Sequence, residues 1–286
     1  MRQDNPSVTA WAVAVRRAVH QLVDRPLILE DPLALRLVGE TAAREAFARE
    51  QAGGDIRRAY SRALRALIVG RSRFAEDCLA AAVDAGLRQC VVLGAGLDTL
   101  GCRAVHAAAG LRVFEVDHPA TQAWKRGVLA AAGVTPPPSL SFVPVDFEHE
   151  TPDARLRAAG FDSAAPAFFS WLGVVPYLTP PAFHQTLAFL GRSPGAHVVF
   201  DYCIGTEELP LAERKAFHRL ARRVEAVGEP FRLFVPPAQM HGWLDAAGFT
   251  RMEDLSGDQI NRRYFAGRSD ELRVMGRLGR FLHAHR

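Results

Sequence analysis

The chain has 286 residues, 49% hydrophobic and 23% charged, which is enough apolar material for an ordinary globular core and a modest second lobe. Its formal charge of +4 comes from 35 basic against 31 acidic residues, and apart from Lys125 and Lys215 the basic ones are all arginines. These are spread along the chain, so no nucleic-acid surface is expected; no apolar run reaches the ~18 residues of a membrane span, and without a signal-peptide pattern the expected location is cytoplasmic.

Residues 9–20 and 56–85 carry apolar side chains at helical spacing, the second stretch ending at Gly86. They predict an all-helical N-terminal unit over 1–85, ahead of a second unit over 86–286. From Gln89 the pattern changes to short apolar runs separated by helical segments: QCVVLG, LRVFEVD, LSFVPVD, APAFFSW and AHVVFDY are five candidate strands of a parallel α/β sheet. VTPPPSL and GRSPGA punctuate the boundaries. Beyond the fifth strand, residues 207–227 predict a long helix with Arg-rich faces, PPAQMHGWLDAAGF a helix stopped at Gly248, and ELRVMGRL a last strand. The four cysteines, at 78, 90, 102 and 203, have no metal-ligand spacing and read as core thiols; no metal site is expected.

The strand-to-turn stretch QCVVLGAGLDT holds the first chemistry. Gly94 and Gly96 allow a close approach of ligand to backbone, at the start of a helix whose amides face it. A dinucleotide fingerprint needs Gly or Ala where Thr99 stands, and the Asp98 carboxylate would repel a pyrophosphate while suiting a cationic amino group or a ribose hydroxyl. The next strand ends FEVDHP, with Glu115 and Asp117 about 20 residues on, the interval at which an acidic side chain reaches a ribose. Alternation puts both carboxylates on one face and Val116 on the other. The third strand ends VDF, where Asp146 and Phe147 suit an adenine amine and ring. An adenosine with an amino-acid tail fits this crevice better than NAD. An NAD(P)-linked oxidoreductase is further disfavoured because the chain has no Tyr-x-x-x-Lys pair.

In order, RSRFAED, VVLGAGLDT, FEVDHP, VPVDF and SWLGVVPYLT resemble the leucine carboxyl methyltransferase family and its bacterial relatives. The resemblance implies a class I, Rossmann-like methyltransferase: a mostly parallel seven-stranded sheet, additional N-terminal helices, and a helical lid at about 204–235. S-adenosyl-L-methionine is the cofactor it implies, and S-adenosyl-L-homocysteine the product. By the same match Arg71, with Arg73 as second choice, holds the methionine carboxylate. Gly94 and Gly96 line the turn, Asp117 more than Glu115 bonds the ribose, Asp146 and Phe147 take the adenine, and Trp171 with Leu172 lines the cofactor.

Two departures stand out. Leu172 occupies the place of a Glu that many relatives have, and GLDTLGCR replaces GLDTR-A-Y-R, so that Leu100 and Cys102 lack polar atoms. The expected reaction is O-methylation of a small organic or polyketide-type acid, with Arg222, Arg223, Arg262 or Arg263 orienting the acceptor carboxylate. A phenol or alcohol acceptor would instead call on Tyr177, Tyr202 or His241 as base. A protein C-terminal carboxylate and a non-catalytic cofactor-binding role are the alternatives. His118 and His149 read as surface residues. Expected partners are a small-molecule acceptor and, in one arrangement, a second copy in a homodimer.

Overall fold

In the computed structural model, residues 8–146, 151–226 and 230–286 are described. Four helices come first: α1 (Val8–Val23), α2 (Pro32–Val38), α3 (Glu40–Gln51) and the long α4 (Asp55–Asp84). Then follow β1 (Gln89–Leu93), β2 (Arg112–Asp117), α5 (Pro119–Ala131), β3 (Leu140–Pro144), α6 (Pro152–Ala158), β4 (Phe168–Trp171), α7 (Pro180–Leu190) and β5 (His197–Cys203). The chain closes with α8 (Leu211–Ala226), α9 (Pro237–Ala246), β6 (Arg251–Leu255), α10 (Gly257–Tyr264) and β7 (Gly279–His285). All five expected strands form, and they run parallel.

The sheet has seven strands in the order β3-β2-β1-β4-β5-β7-β6, with β7 antiparallel to both neighbours. Its centre is apolar on both sides, as a sheet covered by helices on two faces requires. Val91, Phe114, Phe169 and Phe200 belong to one buried cluster, which includes Phe183 and Leu187 of α7 and Met240 and Leu244 of α9. Cys90, Val113, Phe168 and Val199 belong to the other, with Phe74, Ala75 and Leu79 of α4. A third, smaller cluster joins Ala14 and Ala18 of α1 to Leu97 in the turn after β1. Helix α1 thereby rests on that turn.

Two expectations are corrected. The last strand is GRFLHAH, not ELRVMGRL: it sends Phe281 to one core and Leu282 to the other, as a strand between two others must. In the stretch before it, Glu271 has φ +55°, outside the strand region. The Asn261 side chain there takes the part of a strand partner, donating to the Val274 carbonyl and accepting its N–H, both at 2.8 Å. The helix expected from 207 begins instead at Leu211, after a separate short turn at Thr206–Glu208. Pro210 stands at the break, where a missing N–H is tolerated. All four cysteines are free thiols, and burial pushes Cys78 up to about 12 and Cys102 up to about 11, in keeping with core roles.

Candidate functional site

The turns after β1 and β4 meet at the carboxyl edge of the sheet, where ligands of open α/β sheets bind. Gly94 has φ +65°, and a Cβ there would stand 2.5 Å from Val174 Cγ2, so the two turns touch only because position 94 lacks a side chain. Gly173 has φ +69°, and a Cβ there would stand 2.6 Å from Arg71 Nη2. The guanidinium of Arg71 therefore lies against bare backbone at the end of β4, one residue from the contact with the glycine turn.

Arg71 is held there by Asp201, near the end of β5. Its Nη1 donates to Asp201 Oδ2 at 2.9 Å, and Asp201 Oδ1 accepts the Gly173 N–H at 2.6 Å. On the other side of the glycine turn, Asp117 Oδ2 accepts the Gly96 N–H at 2.5 Å and its Oδ1 accepts the His118 N–H at 2.7 Å. Burial raises the Asp117 carboxyl, against the pull of those two N–H groups. A carboxylate oxygen accepts more than one bond, so Asp117 keeps capacity for ligand hydroxyls. Asp146 follows β3 on the same edge and is half-buried, whereas Phe147 and His149 lie outside the described residues.

Other expected residues are placed elsewhere. Asp98 already has partners: its Oδ1 accepts the Leu100 N–H at 2.7 Å and its Oδ2 pairs with Arg17 at 3.3 Å. Although burial pushes the other way, Arg17 and Lys125 hold the Asp98 carboxyl below its ordinary range. Thr99 is equally occupied, accepting from Arg17 Nη2 at 2.7 Å and donating to Asp31 Oδ1 at 2.8 Å. The Asp-Thr pair thus fastens the N-terminal helices to the glycine turn; the partners, Arg17 and Asp31, are too distant in sequence for the motif to reveal them.

Glu115 is withdrawn from the crevice. It does face the same side as Asp117, but it is fully buried and paired with Lys125 at 2.5 Å, and burial pushes it up to about 6. Trp171 is core, stacked on Phe183 at 5.5 Å and 6° between planes. Arg73 stands on the outer face of α4, half exposed and paired with Asp77 at 2.7 Å. Leu172 lines a small hollow with Ser72, Glu76, Asp98 and Ser170 between α4 and the sheet edge.

The candidates for acceptor chemistry divide similarly. Tyr202 is buried and donates to Asp254 Oδ2 at 2.7 Å; burial and that neighbouring carboxylate raise the phenol well above its usual range, so it is no base. His241 Nε2 lies 2.8 Å from the same oxygen, with 43% of the side chain exposed. Tyr177 stacks on Phe231 at 5.0 Å, and Phe217 of α8 lies 5.5 Å from both Phe231 and Phe234. Arg263 is engaged by Glu253 at 2.8 Å and packs over Phe74, away from the edge, Arg262 beside it is exposed on α10, and Arg222 is exposed on α8. The Arg223 side chain is outside the described residues. His118, expected at the surface, caps α5, its Nδ1 accepting the Ala120 N–H at 3.3 Å. Asp201 was missed; the only signal available was a lone charge in the apolar run HVVFDYC.

A cavity of about 590 Å³ lies elsewhere, among the N-terminal helices beside Asp24, Glu50 and Arg65. Its charges are matched: Arg65 binds both carboxylates and Arg62 pairs with Glu271 at 2.8 Å. No group of side chains suited to a metal ion occurs among the described residues, and no helix there is long and apolar enough to cross a membrane.

With this geometry in view, comparison with known proteins is specific. The family described as leucine carboxyl methyltransferase matches residues 10–191. A Bacillus subtilis (strain 168) protein named "Putative S-adenosyl-L-methionine-dependent methyltransferase YktD" is 30% identical over 303 residues, covering 99% of each chain. A Saccharopolyspora erythraea protein of the same description is 39% identical over 181 residues, 63% of this chain and 61% of its own. Among solved structures, a duf574 family protein from Streptomyces avermitilis aligns with TM-score 0.60 at 16% identity, covering 96% of this chain and 97% of that one. A Thermobifida fusca structure titled "putative methyltransferase" aligns with TM-score 0.58 at 16% identity, covering 99% and 95%. These likenesses establish the class I, Rossmann-like fold.

Proposed function

The chain belongs to the leucine carboxyl methyltransferase family and is an S-adenosyl-L-methionine-dependent methyltransferase, and from that premise we propose that it methylates a carboxylate oxygen of a small organic acid of polyketide type. The observation that carries the cofactor half of this reading is Arg71, a nearly buried guanidinium at the sheet edge that spends one hydrogen bond on Asp201. Its remaining donors suit the methionine carboxylate. Gly94 and Gly96 leave room for the backbone to approach, Asp117 suits the ribose hydroxyls, and Asp146 with Phe147 suits the adenine. The N-terminal helices over 1–85 act as a cap and the segment 204–235 as a lid over this edge.

When bound, the cofactor supplies a methyl group already activated on a sulfonium. The protein's remaining tasks are to align the nucleophile and exclude water. A carboxylate nucleophile is ionised at neutral pH and needs no base. Two features support that choice: the Tyr202 proton is committed to Asp254, and the rings of Tyr177, Phe217 and Phe231 offer an apolar wall for the body of an acid. A hydroxyl acceptor is the second reading, favoured by His241, whose ring is oriented by Asp254 and is open to solvent.

Transfer of labelled methyl from S-adenosyl-L-methionine to matched carboxylic and phenolic acceptors tests the choice. Labelled esters formed at a rate flat between pH 6 and 9 are expected; labelled ethers, formed at a rate that collapses in His241→Ala, would establish the hydroxyl reading. Asp117→Ala is expected to weaken S-adenosyl-L-homocysteine binding by about 1–3 kcal/mol in calorimetry. Unchanged affinity would remove Asp117 from the ribose.

A further inference from the structure

We infer that Asp201 receives the α-ammonium of the cofactor, so that Arg71 and Asp201 together read its amino-acid head as a zwitterion. This deepens, and rests on, the reading of Arg71 as the carboxylate holder. Asp201 is the one charged residue of β5, whose sequence is otherwise apolar apart from His197 and the Tyr202 hydroxyl, and it is 7% exposed. A buried carboxylate is expensive unless it is bonded. Here each oxygen accepts one bond, from the Gly173 N–H and from Arg71, and each retains a lone pair.

The carboxylates nearby differ in how far they are spent. Glu76 is bound by Arg103 through both oxygens; Asp98 accepts one bond on each oxygen, as Asp201 does, but its arginine, Arg17, also binds Asp31 and Thr99. Asp201 has a cationic partner that itself uses a single bond among the described residues. Leu172 leaves the β4 turn without a carboxylate of its own, and Asp201 of β5 supplies one bonded to that turn's backbone. The positive and negative groups of the Arg71–Asp201 pair stand 2.9 Å apart. An α-amino acid carries the opposite pair, carboxylate and ammonium on one carbon, and can lie against them with each charge matched. Gly173 keeps the approach open, since any side chain there would collide with the guanidinium.

The test measures binding, not turnover. Calorimetry compares S-adenosyl-L-homocysteine, its deaminated analogue, which keeps the carboxylate, and 5′-methylthioadenosine, which has neither group. Wild-type protein is expected to bind S-adenosyl-L-homocysteine at least ~10-fold more tightly than the deaminated analogue. Asp201→Asn should weaken S-adenosyl-L-homocysteine by roughly 10- to 100-fold while leaving the other two ligands within about twofold. Equal weakening of S-adenosyl-L-homocysteine and its deaminated analogue would overturn the inference by reducing Asp201 to a support for Arg71, and unchanged binding of all three would overturn it outright. If Asp201→Asn does not fold by circular dichroism, the wild-type ranking decides, and parity of S-adenosyl-L-homocysteine with its deaminated form overturns the inference. The underlying reading fails separately, if Arg71→Met binds the deaminated analogue as tightly as wild type.

Discussion

Helix α4 presents two arginines to the interior in opposite conditions. Arg65 is matched around its whole fork: Nε and Nη2 donate to Asp24 at 2.8 and 3.2 Å, and Nη1 to both oxygens of Glu50 at 2.9 and 2.7 Å. Arg71, further along the helix, has among the described residues the one bond to Asp201, and an edge of bare glycine lies beside it. The first is a finished structural joint between α1, α3 and α4, even though a cavity of about 590 Å³ opens next to it. The second is an unfinished coordination, one that the proposed ligand would complete. The state of the hydrogen-bonding fork, more than the volume of the neighbouring space, separates support from recognition.

Substitutions at the two arginines sharpen this contrast. Arg65→Met strands two carboxylates in the interior and should cost about 3–5 kcal/mol in urea denaturation, while folded protein binds S-adenosyl-L-homocysteine normally; a loss of affinity without loss of stability would reverse the assignment. Burial alone would raise the Asp24 carboxyl, but hydrogen bonds from His20 and Arg65 hold it below its ordinary value of 3.8. Its contribution is thus full above that value and is lost as pH falls through the lower, folded-state pKa. In Arg65→Met the sign inverts. The stranded carboxylates titrate above their unfolded values, so the deficit relative to wild type should shrink as pH falls from 7 towards 5.

Arg71→Met should do the reverse, weakening S-adenosyl-L-homocysteine about a hundredfold, on the order of 2–3 kcal/mol, with a stability loss nearer ~1 kcal/mol because Asp201 keeps the Gly173 N–H. If stability fell as far as in Arg65→Met with affinity intact, the two arginines would belong to one class. Arg73→Ala should be the quietest: its pair with Asp77 is exposed, and less than ~1 kcal/mol is expected in either assay.

The order of strands β1 to β5, the glycine turn and the long α4 were all legible, because periodicity and turn residues are local properties. Arg71 was legible only as a member of a pair. Arg71 and Arg73 sit in one motif, RSRFAED, yet a helix turns them to nearly opposite faces, and only packing against Gly173 shows which one enters. Thr99 spoke against a dinucleotide fingerprint and Asp98 for a cationic ligand group, but that Arg17 and Asp31, far earlier in the chain, pair with these two side chains was not legible.

The sequence by itself determined the five parallel strands, the long α4, the glycine turn and the family resemblance, since these follow from residue patterns within a few positions of one another. Tertiary structure decided which charges are spent and which remain open. Glu115 is consumed by Lys125 and Tyr202 by Asp254, while among the described residues Arg71 keeps N–H donors and Asp201 keeps lone pairs without partners. A charged side chain's role is set by its partners, and in this fold those partners arrive from elements widely separated in the chain.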